Sequence, residues 1–139
     1  MNKHIARVRA IILHNDKVIL IKREKKDELY WVFPGGGVEL SDMNFEVALK
    51  RECKEELGIN IEVGEFLIKQ FFRGESESFY ICRFESGELG TGNGPEYDGD
   101  SYYGGSHVVE MIDVSEIANI NLKPVNIRDL VVEYLKEKV

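Results

Sequence analysis

A proline and three glycines, Pro34-Gly35-Gly36-Gly37, cut this chain between an apolar run and its best helix. Pro34 cannot continue a ladder and the glycines permit a tight passage of backbone, so Tyr30-Trp31-Val32-Phe33 reads as a short strand that stops there. Beyond the glycines, the pattern fits a helix over Asn44–Leu57. Asn44 suits the N-cap, and Gly58 stands where a left-handed C′ residue belongs. Strand-like runs lie on both sides of this unit. Residues 5–13 and Lys17–Arg23 flank Asn15-Asp16, which predicts a β-hairpin. Ile59–Arg73 (bent near Gly64), Ser78–Glu85 and residues 107–114 predict three more strands. Pro124 fits a helix N1 position, and Ile127, Leu130, Val131, Tyr134 and Leu135 recur at helical spacing. Strands, a helix, more strands and a closing helix predict a mixed α/β domain with helices on both faces of a sheet.

Length and charge narrow the class. The 139 residues fit one domain, 1–139, and 43% hydrophobic content is enough for a core. A net charge of −7 argues against non-specific nucleic-acid binding and against an anionic membrane surface. It permits a small anionic ligand, because a bound cation reverses the local field. Cys53 and Cys82 form neither a metal-type pair nor a disulfide framework, and no apolar run is long enough for a signal peptide or a membrane span. The expectation is a soluble, cytoplasmic protein. Its oligomeric state is open, a homodimer included.

The central helix breaks its own local rules. Glu52, Glu55 and Glu56 fall within an arc of about 100° on one face, where each like-charge pair costs about 0.2–0.5 kcal/mol. Glu55 and Glu56 also lie in the last turn, where the helix dipole favours cations. On spacing alone, two readings stand level. One is a solvated acidic face with Arg51 paired to Glu55; the other is a cation held against three carboxylates. Oxygen-only ligation would suit Mg²⁺ or Mn²⁺. The glycine run tips the balance towards the cation, since its backbone N–H groups are available to an anion beside the metal. Residues 85–106 form a glycine-rich, acidic segment without Lys or Arg, read as a mobile functional loop. Tyr97, Tyr102 and Tyr103 in it can stack on a base, although packing the loop down is the commoner use of such tyrosines. His4, His14 and His107 have no partner at ligand spacing and read as surface or strand-end residues.

Residues 37–59 resemble the Nudix box, which runs Gly, five residues, Glu, seven residues, Arg-Glu, an aliphatic, any residue, Glu-Glu, any residue, Gly, an aliphatic. Gly37, Arg51, Glu52, Glu55, Glu56, Gly58 and Ile59 match in register, and Cys53 stands in for the aliphatic. The lead-in Trp31-Val-Phe-Pro-Gly-Gly-Gly-Val-Glu39 is similar too. One position departs: Met43 replaces the first box glutamate, and Asp42 the glycine before it. In the family that glutamate chiefly supports the box arginine.

The resemblance implies a Nudix fold, a mixed sheet sandwiched between helices (α/β/α). It implies Mg²⁺-dependent hydrolysis of a nucleoside diphosphate linked to another group: a nucleoside triphosphate, ADP-ribose, a nucleotide sugar or a dinucleoside polyphosphate. Glu52, Glu55 and Glu56 would hold the metal, with Glu96 from the acidic loop. Arg51 would orient the carboxylates, and Glu52 is a candidate general base. Arg23 would meet substrate phosphate, a role weighed level with that of an ordinary strand-end arginine, and Gly36 and Gly37 would let backbone approach the site. Glu110 is the rival to Glu96. The competing reading is a catalytically weak nucleotide-binding or sensor module, weakened by the retention of three mutually repelling carboxylates. With Met43 unable to accept a strong hydrogen bond, Arg51 needs another partner among Asp42, Glu39 and Glu55. Asp42 requires the smallest backbone adjustment, leaving Met43 to pack inward near Ala48 as a hydrophobic staple.

Overall fold

A computed structural model describes residues 6–90 and 106–137. Among these residues eight strands share one mixed sheet. In chain order they are β1 (Ala6–His14), β2 (Lys17–Lys25), β3 (Glu28–Val32), β4 (Gly35–Gly37), β5 (Ile59–Phe72), β6 (Glu75–Gly87), β7 (Ser106–Asp113) and β8 (Leu122–Lys123). The main path runs β5-β6-β1-β2-β3-β8, with β4 also on β1 and β7 on β2. Pairs β1–β6 and β3–β8 are parallel, and the others antiparallel. Helix α1 spans Phe45–Leu57 and α2 spans Val125–Glu137, with a 3₁₀ turn at Val114–Asn119. None of these helices is long and apolar enough to cross a membrane.

Two separate cores explain why the central strands are so apolar. Val8, Ala10 and Ile12 of β1 and Ile19 and Ile21 of β2 pack with Ala48, Leu49, Cys53 and Leu57 of α1. The alternate residues Ile11, Val18 and Leu20 pack with Ile127 and Val131 of α2. A strand covered on both faces reads as a near-continuous hydrophobic run, as β1 and β2 do. Helices therefore cover both faces, as the element order predicts. Cys53, the stand-in in the box, is fully buried, and that burial pushes its thiol well above the usual range.

The turns obey local chemistry. Asn15 and Asp16 both adopt positive φ (50° and 64°), the pattern of a type I′ hairpin turn. The bend near Gly64 is a β-bulge: β5 gains one residue on β6 between the pairs Val63–Cys82 and Phe66–Tyr80. Three expectations need correction. The glycine run is itself a strand, β4, antiparallel to β1. Strand β6 begins at Glu75, after a turn with positive φ at Arg73 and Gly74, although Glu75, Ser76 and Glu77 carry no apolar signal. Those two acids reach Arg7 and Arg9 on the neighbouring strand, at 3.9 and 2.8 Å. Pro124 sits just before α2 rather than inside it, its carbonyl accepting from Ile127 and Arg128.

Candidate active site

Capping fixes where α1 starts and stops, and so which side chains face β4. Asn44 holds an extended backbone and its side chain accepts from the Val47 N–H at 2.8 Å. Gly58 closes the helix in the left-handed region (φ 83°), donating its N–H to Lys54. Between these caps the helix lays its acidic face over the glycine strand.

The three carboxylates take different positions there. Glu56 is buried, and its carboxylate accepts the Gly35 N–H at 2.9 Å. Glu52 lies against Gly36 so closely that a Cβ on that glycine would stand 2.5 Å from its carboxylate. Only glycine leaves room for it. Glu55 is the most open of the three, with 41% of its side chain exposed and an oxygen 3.3 Å from Arg51. The Gly35 N–H is thus committed to Glu56, a correction to the expectation that the glycine N–H groups await an anion.

Arg51 organises this corner. A guanidinium has five N–H donors, and all five are engaged. Nε donates to one oxygen of Asp42 at 2.9 Å and Nη2 to the other at 2.8 Å. Nη2 also donates to the Gly37 carbonyl at 3.1 Å, and Nη1 to Glu52 at 3.2 Å and Glu55 at 3.3 Å. The fork onto Asp42 is bidentate and charge-assisted, the strong form of such pairs. Asp42 is held in turn by the Glu39 N–H at 2.7 Å. The Arg51 hydrogen bond keeps the Asp42 carboxyl below its usual range against the opposing effect of desolvation, and the Glu39 N–H adds to the lowering. Arg51 itself is shifted upwards, first by that bond. Asp42 is therefore the partner that the loop position predicts. Met43 is not the inward staple: it is 88% exposed.

The sheet brings two more residues to this face. On β7, Val109 and Met111 pack in the α1-side core, so His107 at the same alternation faces that side. Its Nε2 is 3.8 Å from Glu56, with only 10% of the side chain exposed. Burial, aided by the charge of Arg23, pushes its pKa down to about 4, so the imidazole is neutral at pH 7. Arg23 stands directly opposite His107 in the β2–β7 ladder, on the Ile19–Ile21 face of β2. His107 is a strand-end residue, second in β7, as expected, but not a surface one: its side chain is largely covered and lies beside Glu56. Its position two and four residues before Val109 and Met111 is the alternation signal that finds it. Glu110 points the other way, with Ile112, accepts a hydrogen bond from Trp31 at 3.0 Å and forms an ion pair with Lys22 at 3.3 Å. Glu96, Tyr97, Tyr102 and Tyr103 lie outside the described residues, as does most of the 85–106 segment.

The donor set fits a hard divalent cation: oxygen-only side chains on one helical face, one of them buried, beside a glycine cradle with no space for a side chain. Among the described residues no three such groups converge as a ready-made cage. Glu52 and Glu55 are instead turned towards Arg51.

Comparison with known proteins agrees with this geometry. Residues 3–129 match the NUDIX domain family. A CTP pyrophosphohydrolase of Escherichia coli (strain K12) is 42% identical over 67 residues, which is 47% of this chain and 49% of that protein. The chain thus matches about half the length of that relative. An 8-oxo-dGTP diphosphatase of Buchnera aphidicola subsp. Schizaphis graminum (strain Sg) is 32% identical over 91 residues, 63% of this chain and 69% of the relative. The crystal structure of a NUDIX-family hydrolase from Clostridium perfringens superposes with a TM-score of 0.71 at 20% identity, covering 98% of each chain. With Glu52, Glu55 and Glu56 on one helix, the glycine strand beneath them and the two-faced sheet in place, the chain belongs to the NUDIX domain family.

Proposed function

We propose that this protein is a divalent-cation-dependent pyrophosphohydrolase acting on a nucleoside diphosphate linked to a second group. The observation that carries this reading is the packing of Glu52 and Glu56 against a glycine strand in which Gly36 has no room for a Cβ. A mere solvated acidic face needs no such cradle. In this reading Glu52, Glu55 and Glu56 hold Mg²⁺ or Mn²⁺, with Glu96 from the acidic loop. The cation supplies charge neutralisation on the diphosphate and a more acidic water. Arg51 orients the carboxylates, Arg23 faces substrate phosphate, and Glu52 is the candidate general base. A catalytic hydrogen bond commonly tightens only once substrate is bound, so the present rotamers of Glu52 and Glu55 are compatible with this role.

A cavity of about 1,120 Å³, lined by Arg9, Phe33, Phe71, Lys123 and Asn126, lies on the α2 face of the sheet, away from the carboxylates. The substrates named for the two sequence relatives, with ADP-ribose and a nucleotide sugar from the range that the box resemblance implies, define the panel. CTP, 8-oxo-dGTP, ADP-ribose and a UDP-sugar are each incubated with the protein, with and without Mg²⁺, and the cleaved phosphates are measured. Mg²⁺-dependent cleavage of at least one is expected. Binding of these nucleotides without cleavage at any Mg²⁺ or Mn²⁺ concentration would replace the enzyme by the binding module.

A further inference from the structure

We propose that Asp42 is the positioning residue of the carboxylate site, acting through Arg51. For metal and substrate the proposal rests on the hydrolase reading above; its geometry stands by itself. Three facts converge. Asp42 takes two of the five Arg51 donors, at the two shortest distances that Arg51 makes, 2.9 and 2.8 Å. The other three donors go to the Gly37 carbonyl, Glu52 and Glu55, so one guanidinium plane ties the glycine strand to two of the three carboxylates. Asp42 is itself locked, with 3% of its side chain exposed and its oxygen accepting from the Glu39 N–H, while its own N–H donates to the Glu39 carbonyl at 2.9 Å.

The consequence is directional. A guanidinium held from one side by a rigid fork has its other edge fixed in plane, and that edge meets Glu52 and Glu55. Without Asp42 the nearest remaining anion outside α1 is Glu39, whose carboxylate is 3.6 Å away and whose side chain is half exposed. That contact is too long and too solvated to fix a plane. Arg51 already donates to Glu52 and Glu55 from Nη1; released from the fork, its other donors can settle on the same two carboxylates and compete with a cation for their oxygens. Asp42 thus keeps two of the five donors away from the helix carboxylates. Groups that orient metal ligands from behind typically matter by about 10–100-fold in metal affinity or activity.

The test uses Mn²⁺ alone as the probe. Its dissociation constant is measured by EPR on the full chain for wild type, Asp42→Asn, Arg51→Lys and the double variant, alongside kcat and KM for CTP. Asp42→Asn keeps the shape and an acceptor but loses the charge. It should weaken Mn²⁺ binding by about tenfold or more and lower kcat with KM little changed. The double variant should be no worse than the worse single, because both act on one contact. Asp42→Ser supplies the same comparison if the Asn variant does not fold. Unchanged Mn²⁺ affinity in a folded Asp42 variant would overturn the proposal, and so would losses that multiply in the double variant. If no variant, wild type included, cleaves CTP while Asp42→Asn still loses Mn²⁺ affinity, the positioning role stands and hydrolysis of that nucleotide does not.

Discussion

The two faces of one sheet carry ionic groups in opposite ways. On the α2 side, Arg7 meets Glu75 and Arg9 meets Glu77, one cation to each anion. On the α1 side, a single Arg51 serves Asp42, Glu52 and Glu55, while the buried Glu56 relies on a backbone N–H. The first arrangement is self-neutralising and needs nothing from outside. The second divides one guanidinium among three carboxylates, an arrangement that the proposed cation would complete. The difference is one of sharing: on the α2 side each of these anions has its own cation, and on the α1 side three carboxylates have one between them.

The largest expected effect breaks this contrast directly. Glu52→Gln should lower kcat/KM by at least about 100-fold, which is about 2.7 kcal/mol of barrier. Glu55→Gln and Glu56→Gln should also remove most activity. Stability should hold or rise slightly in Glu55→Gln, since like charges on one helical face repel by about 0.2–0.5 kcal/mol per pair. Initial rates and urea midpoints measure both quantities. Wild-type turnover in Glu52→Gln or Glu55→Gln at saturating Mg²⁺ would sink the metal assignment.

The glycines sharpen the comparison between fold and site within two adjacent residues. A Cβ on Gly35 would stand 2.0 Å from the Val8 carbonyl, at φ +146°, so backbone must move. Gly35→Ala should cost about 3 kcal/mol or more, a strained and overpacked substitution. The three atoms nearest to a Cβ on Gly36 all belong to the Glu52 carboxylate, the far end of a flexible side chain. Gly36→Ala should therefore fold with a midpoint near wild type and lose activity tenfold or more, about 1.4 kcal/mol of barrier. Equal loss of stability in both variants would mean that Gly36 serves the sheet rather than the site.

A smaller effect links the Arg51 fork to pH. Asp42 is held below its ordinary range, so its pairing adds stability above about pH 4 that is lost as pH falls towards its folded value. Asp42→Asn should cost about 2 kcal/mol at pH 7, the scale of hydrogen bonds to a charged group. The gap to wild type should narrow on acidification below pH 4. Urea unfolding at pH 7 and pH 3 reads this out, and a gap that stays constant would place the Asp42 contribution in something other than its charge.

Local chemistry makes much of this molecule legible in its sequence. The caps at Asn44 and Gly58, the Asn15-Asp16 turn and the two apolar runs declare themselves because each depends on residues close by in the chain. The same holds for Glu52, Glu55 and Glu56, whose spacing violates the rules of an ordinary surface helix. The hidden features depend on neighbours distant in sequence. Gly35-Gly36-Gly37 becomes a strand only because β1 offers it a free edge at Arg7–Arg9. Glu75 and Glu77 enter a strand because Arg7 and Arg9 wait beside them. His107 reads as a strand-end residue because nothing near it in the chain announces Glu56, which only the folded sheet and helix bring within reach.

The smallest expected effect sits at the box position that departs from pattern. Met43 is 88% exposed, and with Leu40 and Val47 it leaves apolar side chains open at the start of α1. A glutamate placed at 43 would add a negative charge just ahead of the helix, where the dipole favours it by a few tenths of a kcal/mol. It would find no vacancy on Arg51, whose five donors are already taken by Asp42, Gly37, Glu52 and Glu55. Met43→Glu should therefore change kcat by less than about twofold and stability by less than about 0.5 kcal/mol, the usual range for a surface substitution. In the Asp42→Ala background the same change should matter more, because Arg51 then has an empty side to which a carboxylate one residue along can swing. A tenfold rise in kcat from Met43→Glu alone would mean that the Asp42 fork does not hold Arg51 in solution. The contrast between a fully anchored α1 face and a merely paired α2 face would then have to be redrawn.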